Sequence, residues 1–211
     1  NPASPNEDLW RRSVDELIYE VKRCHALGIE AVIVHPGFHC GTNKANGIRR
    51  TRIALQCIID ATEETDVRIL LENMAGQGTA LGGRFEELGA MIDGFPSCRV
   101  GTCLDVCHAF AAGYEVRSGV DDMLNEYDAH IGLLRIGVIH LSDSKGQVGT
   151  RTDRHAHIGQ GYMGIEPFRT ILERFPAIPK LIETPKSKEM DIVNLSLLRQ
   201  LSDKRDGGNA C

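Results

Sequence analysis

Five short apolar runs along the chain each end in a side chain that can bind a metal. Ala-Val-Ile-Val precedes His35, Arg-Ile-Leu-Leu precedes Glu72, Gly-Thr-Cys-Leu precedes Asp105, Arg-Ile-Gly-Val-Ile precedes His140, and Lys-Leu-Ile precedes Glu183. Imidazole nitrogen and carboxylate oxygen suit zinc, and also manganese or iron. One ion takes three or four protein ligands, so five donors with carboxylates able to bridge point to two ions roughly 3.5–4 Å apart. A second set adds His108, shortly after Asp105, and the triplet Asp153-Arg154-His155. Alternate residues of an extended chain share a face, so Asp153 and His155 can chelate together while Arg154 points elsewhere.

The elements that position these residues follow from their spacing. The run ends are separated by 37, 33, 35 and 43 residues. That length holds a strand, a helix and two loops, and the βα rhythm implies parallel strands whose carboxyl ends share one face. In barrel enzymes that face carries the chemistry. The expected fold is α/β, a TIM-type (β/α) barrel with about five of its eight units, the amino-terminal strands missing. Strands are expected over 29–35, 67–72, 99–105, 135–140 and 179–183. Their consecutive apolar residues suit a sheet covered by helices. The first helix is expected to start from a Ser4 cap, with Pro5 at its first position and Glu7 closing a capping box, and to end at Gly28. Further helices are expected over 48–64, 84–93, 119–132, 165–175 and 187–202, with Cys107–Tyr114 and 141–164 as rim loops. The barrel domain covers residues 1–203, and residues 204–211 read as a disordered tail.

Composition sets outer bounds. A chain of 211 residues with 42% hydrophobic and 25% charged residues suits one soluble globular domain. No stretch is long and apolar enough to span a membrane, and the start Asn-Pro-Ala-Ser-Pro is no signal peptide. The seven cysteines are scattered, which fits reduced thiols and an intracellular setting, cytoplasm or nucleus. A net charge of −5 argues against a nucleic-acid partner until metals are counted, since bound divalent ions make the site a local positive centre.

Several residues invite a functional reading and receive a plainer one. His25 and His130 fall within helices and read as surface residues, while His39 and His157 in rim loops stay ambiguous. Cys103 and Cys107 bracket Asp105, yet buried cysteine is common as a small apolar residue. The glycine-rich stretch Gly76–Gly83 lacks a phosphate-loop ending, although it can approach a ligand at the rim. Arg49, Arg50 and Arg52 read as a solvated helix face, and Arg151 and Arg154 as functional because both fall in the loop that bears the ligand triplet.

The segments His35-Pro-Gly, Glu72-Asn-Met-Ala-Gly-Gln-Gly, Asp105-Val-Cys-His108-Ala-Phe-Ala-Ala-Gly-Tyr, His140-Leu-Ser-Asp-Ser-Lys, Asp153-Arg-His155 with Ile-Gly-Gln-Gly, and Glu183-Thr-Pro resemble endonuclease IV, the trizinc apurinic/apyrimidinic endonucleases. The similarity runs in order from Asn1 to about residue 200, with Met74 and Val106 where threonine is usual and Ser142 where asparagine is usual. The resemblance implies that His35 and Glu72 hold one zinc. It implies that Glu72 bridges to a second zinc completed by Asp105, His140 and Glu183, and that His108, Asp153 and His155 hold a third. Manganese is an alternative. It also implies hydrolysis of the phosphodiester 5′ to an abasic site in duplex DNA, leaving a 3′-hydroxyl and a 5′-deoxyribose phosphate. Glu72 and Glu183 would orient the water, and Arg154, Arg151, Lys145 and Gln77 would contact the substrate. A monomer is expected. In the family a further histidine on the first zinc lies just before the segment that Asn1 begins, so a shortened form with two ligands for that zinc is expected. Two rivals stand beside this reading. One is a metal-dependent sugar isomerase or epimerase of similar shape, which lacks the third cluster. The other is a truncated form that binds without cutting.

Overall fold

The structure is a computed structural model that describes residues 1–187 and 189–203. The tail expected over 204–211 lies outside the described residues. Strands β1 (Ala31–Val34), β2 (Arg68–Glu72), β3 (Val100–Asp105) and β4 (Ile136–Leu141) are joined by β7 (Lys180–Ile182) in one sheet of order β1-β2-β3-β4-β7, every neighbouring pair parallel. Between β4 and β7, β5 (Asp143–Ser144) and β6 (His155–Ala156) form a short antiparallel ladder. The helices are α1 (Glu7–Ala26), α2 (Lys44–Asp60), α3 (Phe85–Ile92), α4 (Val106–Ala112), α5 (Asp121–His130), α6 (Glu166–Arg174) and α7 (Met190–Asp203). Strands in chain order with helical crossovers form the arc of a (β/α) barrel.

Strand parity divides the sheet into two faces. Ile69 and Leu71 on β2, Val100 and Leu104 on β3, and Ile139 and Leu141 on β4 join the core beneath the helices. The alternate residues face the concave side, and a slip of register between β3 and β4 at Thr102/Cys103 brings Gly137 onto that side beside Gly101; the two glycines show how crowded it is. A Cβ on Gly101 of β3 would stand 3.0 Å from Leu70 Cδ2, and one on Gly137 of β4 only 2.8 Å from it. Leu70 of β2 thus reaches across β3 to β4, which happens only on the inside of a curled sheet. On each strand the inward set ends, at the carboxyl side, in one of the polar residues of the site.

The first helix starts differently from the expectation. Its cap is Asn6, whose side chain accepts from Leu9 N–H, while Ser4 is buried and its Oγ accepts from Asn6 N–H at 3.2 Å. Ser4 and Pro5 therefore lie before the helix and Glu7 is its first residue, so no Ser4–Glu7 capping box forms, because Asn6 competes for the cap from two positions later. Gly28, with φ +68, closes the helix as expected. α2 begins four residues early, capped by Asn43 through Asn46 N–H. Cys107–Tyr114, expected as a loop, is largely helical: Asp105 caps α4, and Gly113 at φ +117 ends it. Arg50 and Arg52 tie helices together and do not form a solvated face. Arg50 pairs with Glu7 at 3.0 Å and covers Trp10, and Arg52 donates to the carbonyls of Ala90 and Asp93.

Leu70 supports the floor below the site. Leu70→Ala is expected to cost about 3 kcal/mol by cavity formation. Urea denaturation measures it, and a loss below about 1 kcal/mol would show that the concave face is not packed there.

Candidate metal centre

Parity brings the strand-end residues together. His35 follows β1, Glu72 ends β2, Asp105 ends β3, His140 lies one residue inside the end of β4, and Glu183 follows β7. Ligand atoms of Glu72, Asp105, His140 and Glu183 lie within 4.8 Å of one another, and so do those of His108, Asp153 and His155. Glu72 joins the groups. Its Oε2 stands 3.1 Å from His35 Nε2, and its Oε1 stands 3.0 Å from His140 Nδ1 and 3.3 Å from His108 Nδ1. All eight expected ligands are thus near one another. Glu72, Asp105, His108 and His140 are buried, Asp153 and His155 are half-buried, and His35 and Glu183 are exposed at the mouth.

The imidazoles are oriented by groups behind them. His108 Nδ1–H donates to the Asn73 carbonyl at 2.9 Å, which turns Nε2 toward Asp153 Oδ1 at 3.3 Å and His155 Nε2 at 3.3 Å. His155 Nδ1–H donates to the Glu183 carbonyl at 2.7 Å, and its Nε2 lies 3.2 Å from Asp153 Oδ1. Such contacts set the tautomer of metal-ligating histidines. Asn73 does more. Its Nδ2 donates to the Asp105 carbonyl at 2.9 Å and its Oδ1 accepts from Asp105 N–H at 2.8 Å, locking the ends of β2 and β3 together.

Asp105 divides its two oxygens between structure and site. Oδ1 accepts from His108 N–H at 2.6 Å and so caps α4. Oδ2 is buried and makes no hydrogen bond, with His140 Nδ1 3.7 Å away. A buried carboxylate oxygen left unpaired is costly unless a cation meets it. This oxygen, among imidazoles and further carboxylates, fits a divalent ion. Cys107 also places its sulfur within 4.8 Å of ligand atoms of Asp105 and His155, nearer than plain packing implies, but burial pushes its thiol up and out of the thiolate range. Burial likewise pushes the Cys103 thiol up to about 12.

Charge within the centre is tightly coupled. Burial alone would raise the Glu72 carboxyl, but hydrogen bonds from His108, His140 and His35 outweigh it and hold the group far below the usual carboxylate range. Burial opposes charge on His108 as well, yet Asp105, Asp153 and Glu72 push that imidazole up to about 11. Hydrogen bonds from His108 and His155 hold Asp153 well down. The neighbouring carboxylates thus favour protons on the imidazoles, and a bound cation would take the place of those protons.

The expected substrate contacts are placed less uniformly. Arg151, Arg154 and Lys145 are exposed near the rim, and Arg154 donates to the carbonyl of Asp153. Gln77 is half-buried, with Oε1 unpaired, in a glycine-rich loop that is pinned to the loop after β1 through His39 N–H to the Thr79 carbonyl and Leu81 N–H to the Gly37 carbonyl. His39 and His157 stand outside both ligand groups; Asn194 Nδ2 donates to His157 Nδ1 at 3.0 Å. His130 is exposed as expected, but it forms a group with Glu86 and Glu126 on the outer helices, where Arg84 already pairs with both carboxylates. The role of Asn73 and the helix after Asp105 escaped the sequence reading. The signal for the latter was an aspartate three residues before His108, followed by an alanine-rich turn and Gly113.

A family described as xylose isomerase-like TIM barrel matches residues 1–201. A protein named "Probable endonuclease 4" from Citrifermentans bemidjiense is 47% identical over 207 residues, 94% of this chain and 72% of that protein. The chain belongs to the endonuclease IV family. The crystal structure of endonuclease IV from Thermus thermophilus superposes with a TM-score of 0.85 at 34% identity, covering 96% of this chain and 72% of that one. A D-tagatose 3-epimerase-like protein superposes with a TM-score of 0.80 at 24% identity over 100% of this chain and 76% of its own, a likeness of fold alone. Membership of the endonuclease IV family places the chain among hydrolytic phosphodiesterases, and the curled five-stranded arc is part of that family's barrel.

The Asn73 lock is specific enough to test without metal. Asn73→Ala leaves the Asp105 N–H buried without its partner, while the Asp105 carbonyl keeps its place as the first acceptor of α4, so a loss of about 1–3 kcal/mol is expected in chemical denaturation. A loss under about 0.5 kcal/mol would mean that the two strand ends are held by other contacts.

Proposed function

We propose that this chain is a zinc-dependent endonuclease of DNA base-excision repair that hydrolyses the phosphodiester 5′ to an abasic site in duplex DNA. The products are a 3′-hydroxyl and a 5′-deoxyribose phosphate. The observation that carries the reading is the second group, His108, Asp153 and His155, set directly against the first through Glu72. One mononuclear site would serve an isomerase; two adjoining groups suit a phosphodiester, whose attacking and leaving oxygens both need charge stabilised. Zinc bound there supplies a Lewis acid for the phosphate and lowers the pKa of water to about 7.

The chain's own residues do the rest. Glu72 presents Oε2 to His35 and Oε1 to both His140 and His108, and would serve ions held on either side of it. Glu183 lies exposed at the mouth, Oε1 at 3.6 Å from His140 Nδ1 and Oε2 at 3.9 Å from His155 Nδ1, where it can hold a proton and orient a water. Arg151, Arg154 and Lys145 offer exposed cations to DNA phosphates around that mouth, and Gln77 approaches from the glycine-rich loop. Four imidazoles favour zinc, and the four carboxylates leave manganese possible in its place. We take the protein to act as a monomer inside the cell; no described helix is long and apolar enough to cross a membrane.

A second reading rests on one observation. His35 is grouped with neither ligand set and pairs with Glu72, so that side offers two protein donors among the described residues, fewer than a zinc takes. On this reading the first zinc is weak and cutting is impaired.

Cleavage of a duplex carrying a tetrahydrofuran abasic analogue tests the proposal. A chelator should abolish cutting after prolonged exposure and zinc should restore it. Replacing both His108 and His155 by alanine should lower the rate by about 100-fold or more. Unchanged cutting by that double variant rules the proposal out, and no cutting with zinc tightly bound selects the impaired form. Metal analysis is expected to find at least two zinc ions per chain, whereas a single manganese would point to the isomerase-like alternative.

A further inference from the structure

The ladder that carries His155 to the rim is two residues long on each side, too short to hold itself in place. Asp143 pairs with Ala156 in this ladder, and Ser144 with His155. The carboxylate of Asp143 is fully buried. Its Oδ1 accepts from the N–H of Ser144 at 2.7 Å and of Met163 at 2.9 Å, and its Oδ2 accepts from Gly161 N–H at 2.9 Å. The Ser144 carbonyl accepts from Tyr162 N–H at 2.8 Å. The chain after β6 is therefore drawn back across β5.

Gly161 makes this possible. A Cβ there would lie 2.3 Å from the Ser144 carbonyl oxygen and 2.5 Å from Asp143 Oδ1, so a larger residue would push the segment off the carboxylate. The other end of the same segment is gripped by α7, where Asn194 Oδ1 accepts from Ile158 N–H at 3.1 Å. Between these two holds the backbone leaving His155 has little freedom.

We propose that Asp143 is a positioning residue for the His108–Asp153–His155 group. Its carboxylate collects backbone donors on both sides of the ladder, and this fixes where His155 and Asp153 present their ligand atoms to His108. The inference rests on the metal-centre reading above. Charge-assisted bonds from backbone N–H groups are strong enough for this task. Asp143→Asn keeps the volume but can set an N–H₂ group against Gly161 N–H, donor facing donor.

Zinc titration against a competing chelator tests this on the chain itself, on Asp143→Asn and Gly161→Ala, and on two comparison variants, His108→Ala and Ile171→Val. Ile171 is fully buried on α6, so Ile171→Val supplies destabilisation without touching the ladder. Both Asp143→Asn and Gly161→Ala should weaken one zinc by about 10–100-fold and leave the remaining zinc unaffected. In the metal-free chain, Asp143→Asn should also speed hydrogen exchange at the Gly161 and Met163 amides. Ile171→Val should change neither. Should Asp143→Asn fail to fold, Gly161→Ala carries the same test. Full zinc affinity in the ladder variants, with His108→Ala losing one zinc, overturns the positioning role alone. Equal zinc loss in Ile171→Val overturns it too, by showing a general effect of stability. Undiminished zinc in His108→Ala overturns the underlying metal-centre reading.

Discussion

The centre depends on one buried carboxylate. Glu72 is nearly inaccessible, yet three imidazoles from three different parts of the chain approach its two oxygens. Around it stand Asp105, Asp153 and Glu183, so four carboxylates share a small volume with four imidazoles. Such a set is tolerable in the interior only when its charges are balanced, by protons on the imidazoles or by metal cations. The same side chains that stabilise the metal-free centre as ion pairs are thus arranged to exchange protons for cations.

A curled parallel sheet is what makes that concentration possible. In its inner strands β2, β3 and β4 the backbone groups are satisfied by neighbours on both sides, and the outward residues there are covered by helices, so the inward residues at the carboxyl ends are free for chemistry. Leu70 fills the floor below, and the glycines opposite give it room. Asp105 shows how closely fold and site are joined, since one oxygen starts a helix and the other is left for the site. Asn73 fixes the strand bearing Glu72 to the strand bearing Asp105, so their relative position is set by backbone contacts and not by the ligands alone.

Much of this was legible in the sequence because it depends on local pattern. An apolar run ending in His or Glu declares both a strand and its polar end, and all five strands stand where the runs predict, with ends shifted by one or two residues. The Asp153-Arg154-His155 alternation likewise placed the Asp153 and His155 side chains on one side, with Arg154 exposed. What stayed hidden depends on competition or on contacts between distant segments. Ser4 and Asn6 are both good caps, and only the buried position of Ser4 decides between them. α4 spans under two turns, too short for a helical period to show. β5 and β6 have no periodicity at all at two residues each. Asn73 looks like any loop asparagine until β3 is placed beside it.

The central claim is that these carboxylates and imidazoles surround cations. Anomalous X-ray scattering at the zinc edge, from crystals of the chain grown with zinc, addresses it most directly. The account predicts one peak ringed by Glu72, Asp105, His140 and Glu183, and another ringed by His108, Asp153 and His155. Zinc found only at surface groups such as Glu86, Glu126 and His130, with the rim side chains turned apart, would contradict it.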